Sequence, residues 1–72
     1  MARLAGYVRI HYSGSLSEGL REYVSQAEGV KATSIQPLVL VSPTPDQLLG
    51  QISPYLREPG MRVDRIELRR AG

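Results

Sequence analysis

A chain of 72 residues has room for one small core, since a domain of this size buries only about 60% of the surface its unfolded chain exposes. Its 42% hydrophobic and 22% charged residues are those of a globular protein, and the absence of cysteine excludes disulfides, thiolate metal sites and thiol nucleophiles. A net charge of +2 permits an anionic partner without requiring one. The longest apolar run, Leu38 to Val41, falls far short of a membrane span, and no signal-peptide core follows Met1, so cytoplasmic residence without membrane insertion is expected.

Gly6 to Ser13 alternates, with Val8, Ile10 and Tyr12 on one face and Tyr7, Arg9 and His11 on the other, which predicts a half-buried strand. Ser13-Gly14 ends it, and Ser15-Leu16-Ser17-Glu18 reads as a capping box opening a helix. Leu16, Leu20, Tyr23, Val24 and Ala27 form the apolar stripe of that helix, and Gly29 suits the position just past its end. Val30 to Ile35 reads as a polar edge strand, joined through Gln36-Pro37 to Leu38 to Ser42 in a tight hairpin. Thr44 as cap, Pro45 at the first helical position and Gln47 at the capping-box position predict a second helix, with Leu48, Leu49, Ile52 and Leu56 buried. Pro54 predicts a kink or a short last turn. Met61 to Arg70 reads as a last strand with Ile66 and Leu68 inward and Arg65, Glu67 and Arg69 on the other face. Val63 breaks that parity and predicts a bulge near Asp64.

The order β-α-β-β-α-β, without repeat or linker, predicts one α+β domain of ferredoxin-like topology. With right-handed crossovers the four-stranded antiparallel sheet takes the spatial order 4-1-3-2, both helices lie on one face and the other face stays open.

Chemistry is sparse. His11 is the single histidine; it sits mid-strand with no nucleophile turn and no partner at metal-ligand spacing, so no catalytic residue, metal or cofactor is expected. Ser13-Gly14-Ser15 is the one faint phosphate-binding turn, and it reads more simply as a strand-to-helix connection. The arginine-bearing glycine loop of acylphosphatases and the Cys-x-x-Cys of metal-carrying domains of this topology are both missing. RNA-binding domains of the same topology stack bases on aromatic residues of the two central strands. Here the third strand offers only Leu and Val.

The open face is more informative. Leu38 to Val41 is apolar on both sides of the strand, so one pair of these residues must point away from the helices, with Val39 or Leu40 as the outward candidate. Tyr7, Arg9 and His11 then lie between that strip and Arg65 and Arg69. An apolar strip rimmed by Tyr and Arg is the composition of a protein interface; the alternative is a small sheet that tolerates a few exposed aliphatic residues.

Three segments carry a family resemblance: Ala27-Glu28-Gly29-Val30; Pro45-Asp46-Gln47-Leu48-Leu49-Gly50-Gln51-Ile52; and Gly60-Met61-Arg62-Val63-Asp64-Arg65-Ile66-Glu67-Leu68-Arg69-Arg70. Together they resemble the C-terminal accessory domain that follows the nucleotide-binding domain in bacterial ABC-transporter ATPase subunits, particularly drug and ABC-2-type exporters. That family shows x-x-G-V, P-x-x-L-L-x-x-L and G-x-x-V-x-x-I-x-x-R-R in the same order. The family's usual P-S-L-E-D-V-F continuation would begin at Arg70-Ala71-Gly72, where this sequence stops, and no Walker or signature segment is present. The resemblance therefore implies a regulatory or dimer-contact piece of a longer ATPase. Its partner would be an ATPase domain or a second copy of itself, at the membrane only through partner subunits. A free-standing small-ligand sensor of the ACT type is the alternative expectation. A nucleic-acid binder using Arg9, His11, Arg65 and Arg69 is the third.

Overall fold

The computed structural model describes residues 6–70. The readings that rest on Met1 and on Ala71-Gly72 fall outside that range. The elements are β1 (Gly6–Gly14), α1 (Glu18–Gln26), β2 (Lys31–Ile35), β3 (Leu38–Ser42), α2 (Pro45–Ile52), a 3-10 helix over Ser53–Arg57, and β4 (Met61–Arg69). All strand pairs are antiparallel and the sheet order is β2-β3-β1-β4, the ferredoxin-like arrangement the element order predicts.

Alternation decides which face is buried. Val8, Ile10 and Tyr12 of β1 meet Leu38 and Leu40 of β3, Leu20 of α1, Leu48 and Ile52 of α2, and Met61 of β4 in one core. Val8, Ile10, Leu20, Leu40 and Ile52 have no solvent exposure. Tyr12 carries a hydroxyl into this layer and satisfies it by donating to the Ile35 carbonyl at 2.9 Å, as a buried polar group must.

Helix α1 starts two residues later than the capping-box reading. Ser17, not Ser15, is the N-cap: its hydroxyl accepts from the Leu20 amide at 3.2 Å and donates to Glu58 Oε1 at 2.8 Å. Glu18 thus becomes the first helical residue, two positions short of the capping-box position, and Leu16 packs on the core from the preceding loop. The Ser15 amide is used elsewhere, donating to the Gly60 carbonyl at 2.7 Å. At the other end Ala27 is the cap, so Gly29, at φ +80°, lies one position further out than expected and serves the turn into β2.

Thr44 does cap α2 by position, but its side chain makes no cap hydrogen bond, and neither half of the predicted Thr44–Gln47 box forms. Instead the buried Ser42 hydroxyl accepts from the Thr44 amide at 3.1 Å and fixes the entry to the helix. Pro54 acts as predicted. The α-helix stops at Ile52 and tightens into the 3-10 segment, while Ser53 Oγ bonds back to the Leu49 carbonyl at 2.8 Å.

The β1–β4 register shifts between His11, paired with Arg65, and Tyr12, paired with Val63, which leaves Asp64 as the extra residue of a bulge. One residue out of step is what returns Val63 and Met61 to the helix side. Ile66 and Leu68 share that side, opposite Ile10 and Val8. They are not covered there: Ile66 is 38% and Leu68 40% exposed.

Candidate functional site

The face of the sheet away from the helices is built by the odd positions of β1. Tyr7 pairs with Val41 on one side and Arg69 on the other; Arg9 with Val39 and Glu67; His11 with Arg65; Ser13 with Arg62. The β2 ladder adds Lys31 opposite Val41 and Ser34 opposite Val39. Six of the seven residues expected at this face are therefore there: Tyr7, Arg9, His11, Val39, Arg65 and Arg69. Leu40 is the correction. It is fully buried opposite Val8, because β3 alternates like any strand and only its odd residues face out.

Glu67 organises the cluster. Arg9 Nη1 donates to its Oε1 at 3.0 Å, His11 Nε2 lies 3.1 Å from the same oxygen, and Arg65 Nη2 reaches Oε2 at 3.5 Å. The hydrogen bond from His11, the largest influence, holds the Glu67 carboxyl below the usual carboxylate value of 4.5; desolvation opposes it next, and the Arg9 hydrogen bond and the charges of Arg65 and Arg9 add to the lowering. His11 Nε2 also lies 3.3 Å from Arg65 Nη2. A ring nitrogen that carries its proton toward Glu67 cannot also accept from Arg65, so these two contacts belong to different protonation forms of the imidazole. The Arg9 guanidinium covers the Tyr7 ring at 5.1 Å, a cation-π contact that stiffens the middle of the face.

The charge distribution is lopsided. Among the described residues, Arg9, Lys31, Arg62, Arg65 and Arg69 are laddered onto this face with Glu67 the carboxylate laddered among them, although the whole sequence holds seven acidic residues against nine basic ones. Glu18 and Glu22 lie on α1, Asp46 on α2, Glu28 and Glu58 in the connections, and Asp64 in the bulge. Val39 and Val41, both half-buried, form the apolar strip beside this basic field.

Sequence reasoning missed Lys31 and Arg62 because their side depends on ladder register and on the Asp64 bulge. It placed Glu67 on the correct face without giving it a role. Val41 was within reach, two residues from Val39 on the same strand. Among the described residues no group of three His, Asp or Glu is placed to hold a metal ion, and no helix is long and apolar enough to cross a membrane.

The fold and this face together define an α+β domain of the ferredoxin-like class. No protein-family model, curated protein or solved structure is significantly similar to the chain.

Proposed function

We propose that the chain is a non-catalytic interaction and regulatory domain that docks through its open sheet face onto an acidic protein surface. The segments around Gly29, Pro45 and Gly60 resemble the C-terminal accessory domain of an ABC-exporter ATPase subunit, and on that resemblance the partner is the ATPase domain, on the cytoplasmic side of the membrane. The observation that supports docking most is the pairing of the Val39–Val41 strip with five laddered cations around Glu67. An apolar centre with an arginine- and tyrosine-bearing rim is the anatomy of a binding patch, and the charge excess selects for carboxylates on the other side.

The same face suits nucleic acid less well. Bases bind sheet faces by stacking on exposed rings. On this face the rings among the described residues are Tyr7, already covered by Arg9, and His11, already engaged with Glu67, while the adjacent central strand offers only valines there.

The test is a binding titration of this chain with the purified nucleotide-binding protein encoded in the same reading frame or beside it. Binding that weakens with salt and is lost in Val39→Asp and Arg65→Glu supports the reading. Equal binding by both folded variants overturns the docking face, and the lack of any such ATPase in the coding region overturns the choice of partner. Tight binding of a single-stranded oligonucleotide at low salt would replace the acidic protein surface with nucleic acid.

A further inference from the structure

We infer that the outer edge of β4 is a self-association site at which a second copy of this chain adds its own β4 antiparallel, joining two four-stranded sheets into one. This goes beyond the docking proposal and does not depend on it.

β4 is an edge strand. It pairs with β1 on one side, and among the described residues no strand pairs with its other side. Outside the bulge at Asp64, the stretch from Arg65 to Arg69 is regular, so its outward amides and carbonyls form an unbroken template for another strand. The opposite edge is a poorer one: β2 is five residues long, and its ladder with β3 shifts between Ala32 and Ser34.

Two further observations select a second copy as the occupant. First, Ile66 and Leu68 lie on the helix side of β4 and remain 38% and 40% exposed, where the helices leave the sheet margin uncovered. A strand laid alongside covers this margin, Ile66 above all. Second, the charges on the other side of β4 are self-complementary in two registers, and one of them lies within the strand. An antiparallel two-fold pairing keeps each side chain on its own face only if the axis passes through a residue. With the axis at Ile66, that residue meets its mate, Arg65 stands opposite Glu67 of the second copy, and Glu67 stands opposite the second copy's Arg65. With the axis at Glu67, two carboxylates face each other and Arg65 faces Arg69. With the axis at Leu68, Glu67 stands opposite Arg69 of the second copy, but Ile66 is then paired with Arg70, past the end of β4. Opposite charges directly across a ladder are favourable and like charges are not, and the Ile66-centred register is the complementary one that keeps its pairs within β4.

The contact is short. In this register Arg65 to Glu67 of each copy pair before the partner's bulge at Asp64, an edge at or below the small end of specific interfaces, so the dimer is weak and concentration-dependent. It would carry the basic open face across both copies without burying Val39 or Val41.

Sedimentation equilibrium over a concentration series tests this, with circular dichroism confirming that each variant folds. The wild type should show a reversible monomer–dimer equilibrium, and Ile66→Lys should raise its dissociation constant by about tenfold or more. Val39→Asp should leave it unchanged. Arg65→Glu and Glu67→Arg should each be monomeric alone, because each places like charges across the two-fold. Mixed together they should form a heterodimer, because every pair is then opposite in sign. A wild type that stays monomeric at its highest soluble concentration overturns the proposal. So does a dimer that Val39→Asp abolishes and Ile66→Lys does not, and failure of the mixture to associate overturns the register.

Discussion

His11 Nε2 and Glu67 Oε1 stand 3.1 Å apart on neighbouring central and edge strands, and this contact is the largest influence lowering the Glu67 pKa. A carboxyl whose folded value is depressed contributes stability above its unfolded value, and that contribution is lost as pH falls through the folded value. Wild type should therefore melt higher than Glu67→Gln near neutral pH, and the gap should close as pH drops below 4.5. Added salt should also narrow the gap, since the cluster is open to solvent. Thermal melts of both proteins across pH and salt decide it; a gap that persists unchanged in acid would show that packing of the side chain, not its charge, is responsible.

Ser17 ties α1 to the end of the 3-10 segment by accepting from Leu20 and donating to Glu58. Ser17→Ala should cost about 1–2 kcal/mol, the usual loss of a cap together with a partner hydroxyl. Ser17→Asp is the more telling variant. Aspartate caps an isolated helix as well as serine does, yet here it would set a second carboxylate against Glu58. Urea unfolding should rank Ser17→Asp below Ser17→Ala; the reverse order would mean that Glu58 moves away at little cost.

The two helical glycines should respond oppositely to alanine. Gly50 in α2 is exposed, and an added Cβ would meet nothing within 4 Å. Gly50→Ala should stabilise by about 0.5–1 kcal/mol through reduced backbone freedom in the unfolded chain. In α1 a Cβ on Gly19 would come within 2.7 Å of Tyr55 Cδ1 and 2.9 Å of Glu58 Oε2. Gly19→Ala should therefore destabilise, because the Tyr55 ring is held in a stack with Tyr23 at a centroid distance of 6.0 Å. Unfolding midpoints that rise for both variants would indicate that Tyr55 yields freely.

The parts of this fold legible in the sequence are those set by short-range chemistry. Alternation in β1, the proline stop in α2 and the parity break at Val63 each report a constraint that acts within a few residues, and each element lies where that constraint puts it. Helix capping was less legible, because Ser15 and Ser17 both fit the start of α1. The choice fell to Glu58, 41 residues away in sequence, which accepts from Ser17. The same distance effect hid part of the site. Which side Lys31 and Arg62 take depends on ladder register, and whether Ile66 and Leu68 are covered depends on where the helices stop. Neither quantity is written in a local pattern.

Val39 and Leu40 are adjacent, similar in chemistry and opposite in consequence. Leu40 has no exposure and contacts the helix-side core, whereas Val39 is half-buried on the open face opposite Arg9. Leu40→Ala should cost about 2–5 kcal/mol, the range for emptying a buried leucine site. Stability of a domain this small lies near the low end of about 5–15 kcal/mol, so much of the Leu40→Ala population should unfold at moderate temperature. Leu40→Asp should not fold at all, because a carboxylate there would be buried without a partner. Val39→Asp leaves the core intact and places its charge beside Arg9, so its melting curve should remain cooperative and close to that of wild type. Paired unfolding curves for the four variants Val39→Ala, Val39→Asp, Leu40→Ala and Leu40→Asp test the alternation of β3 directly. Equal losses at the two positions would mean that the open face of β3 is as tightly covered as the core face. The docking surface would then have to be sought elsewhere on the molecule.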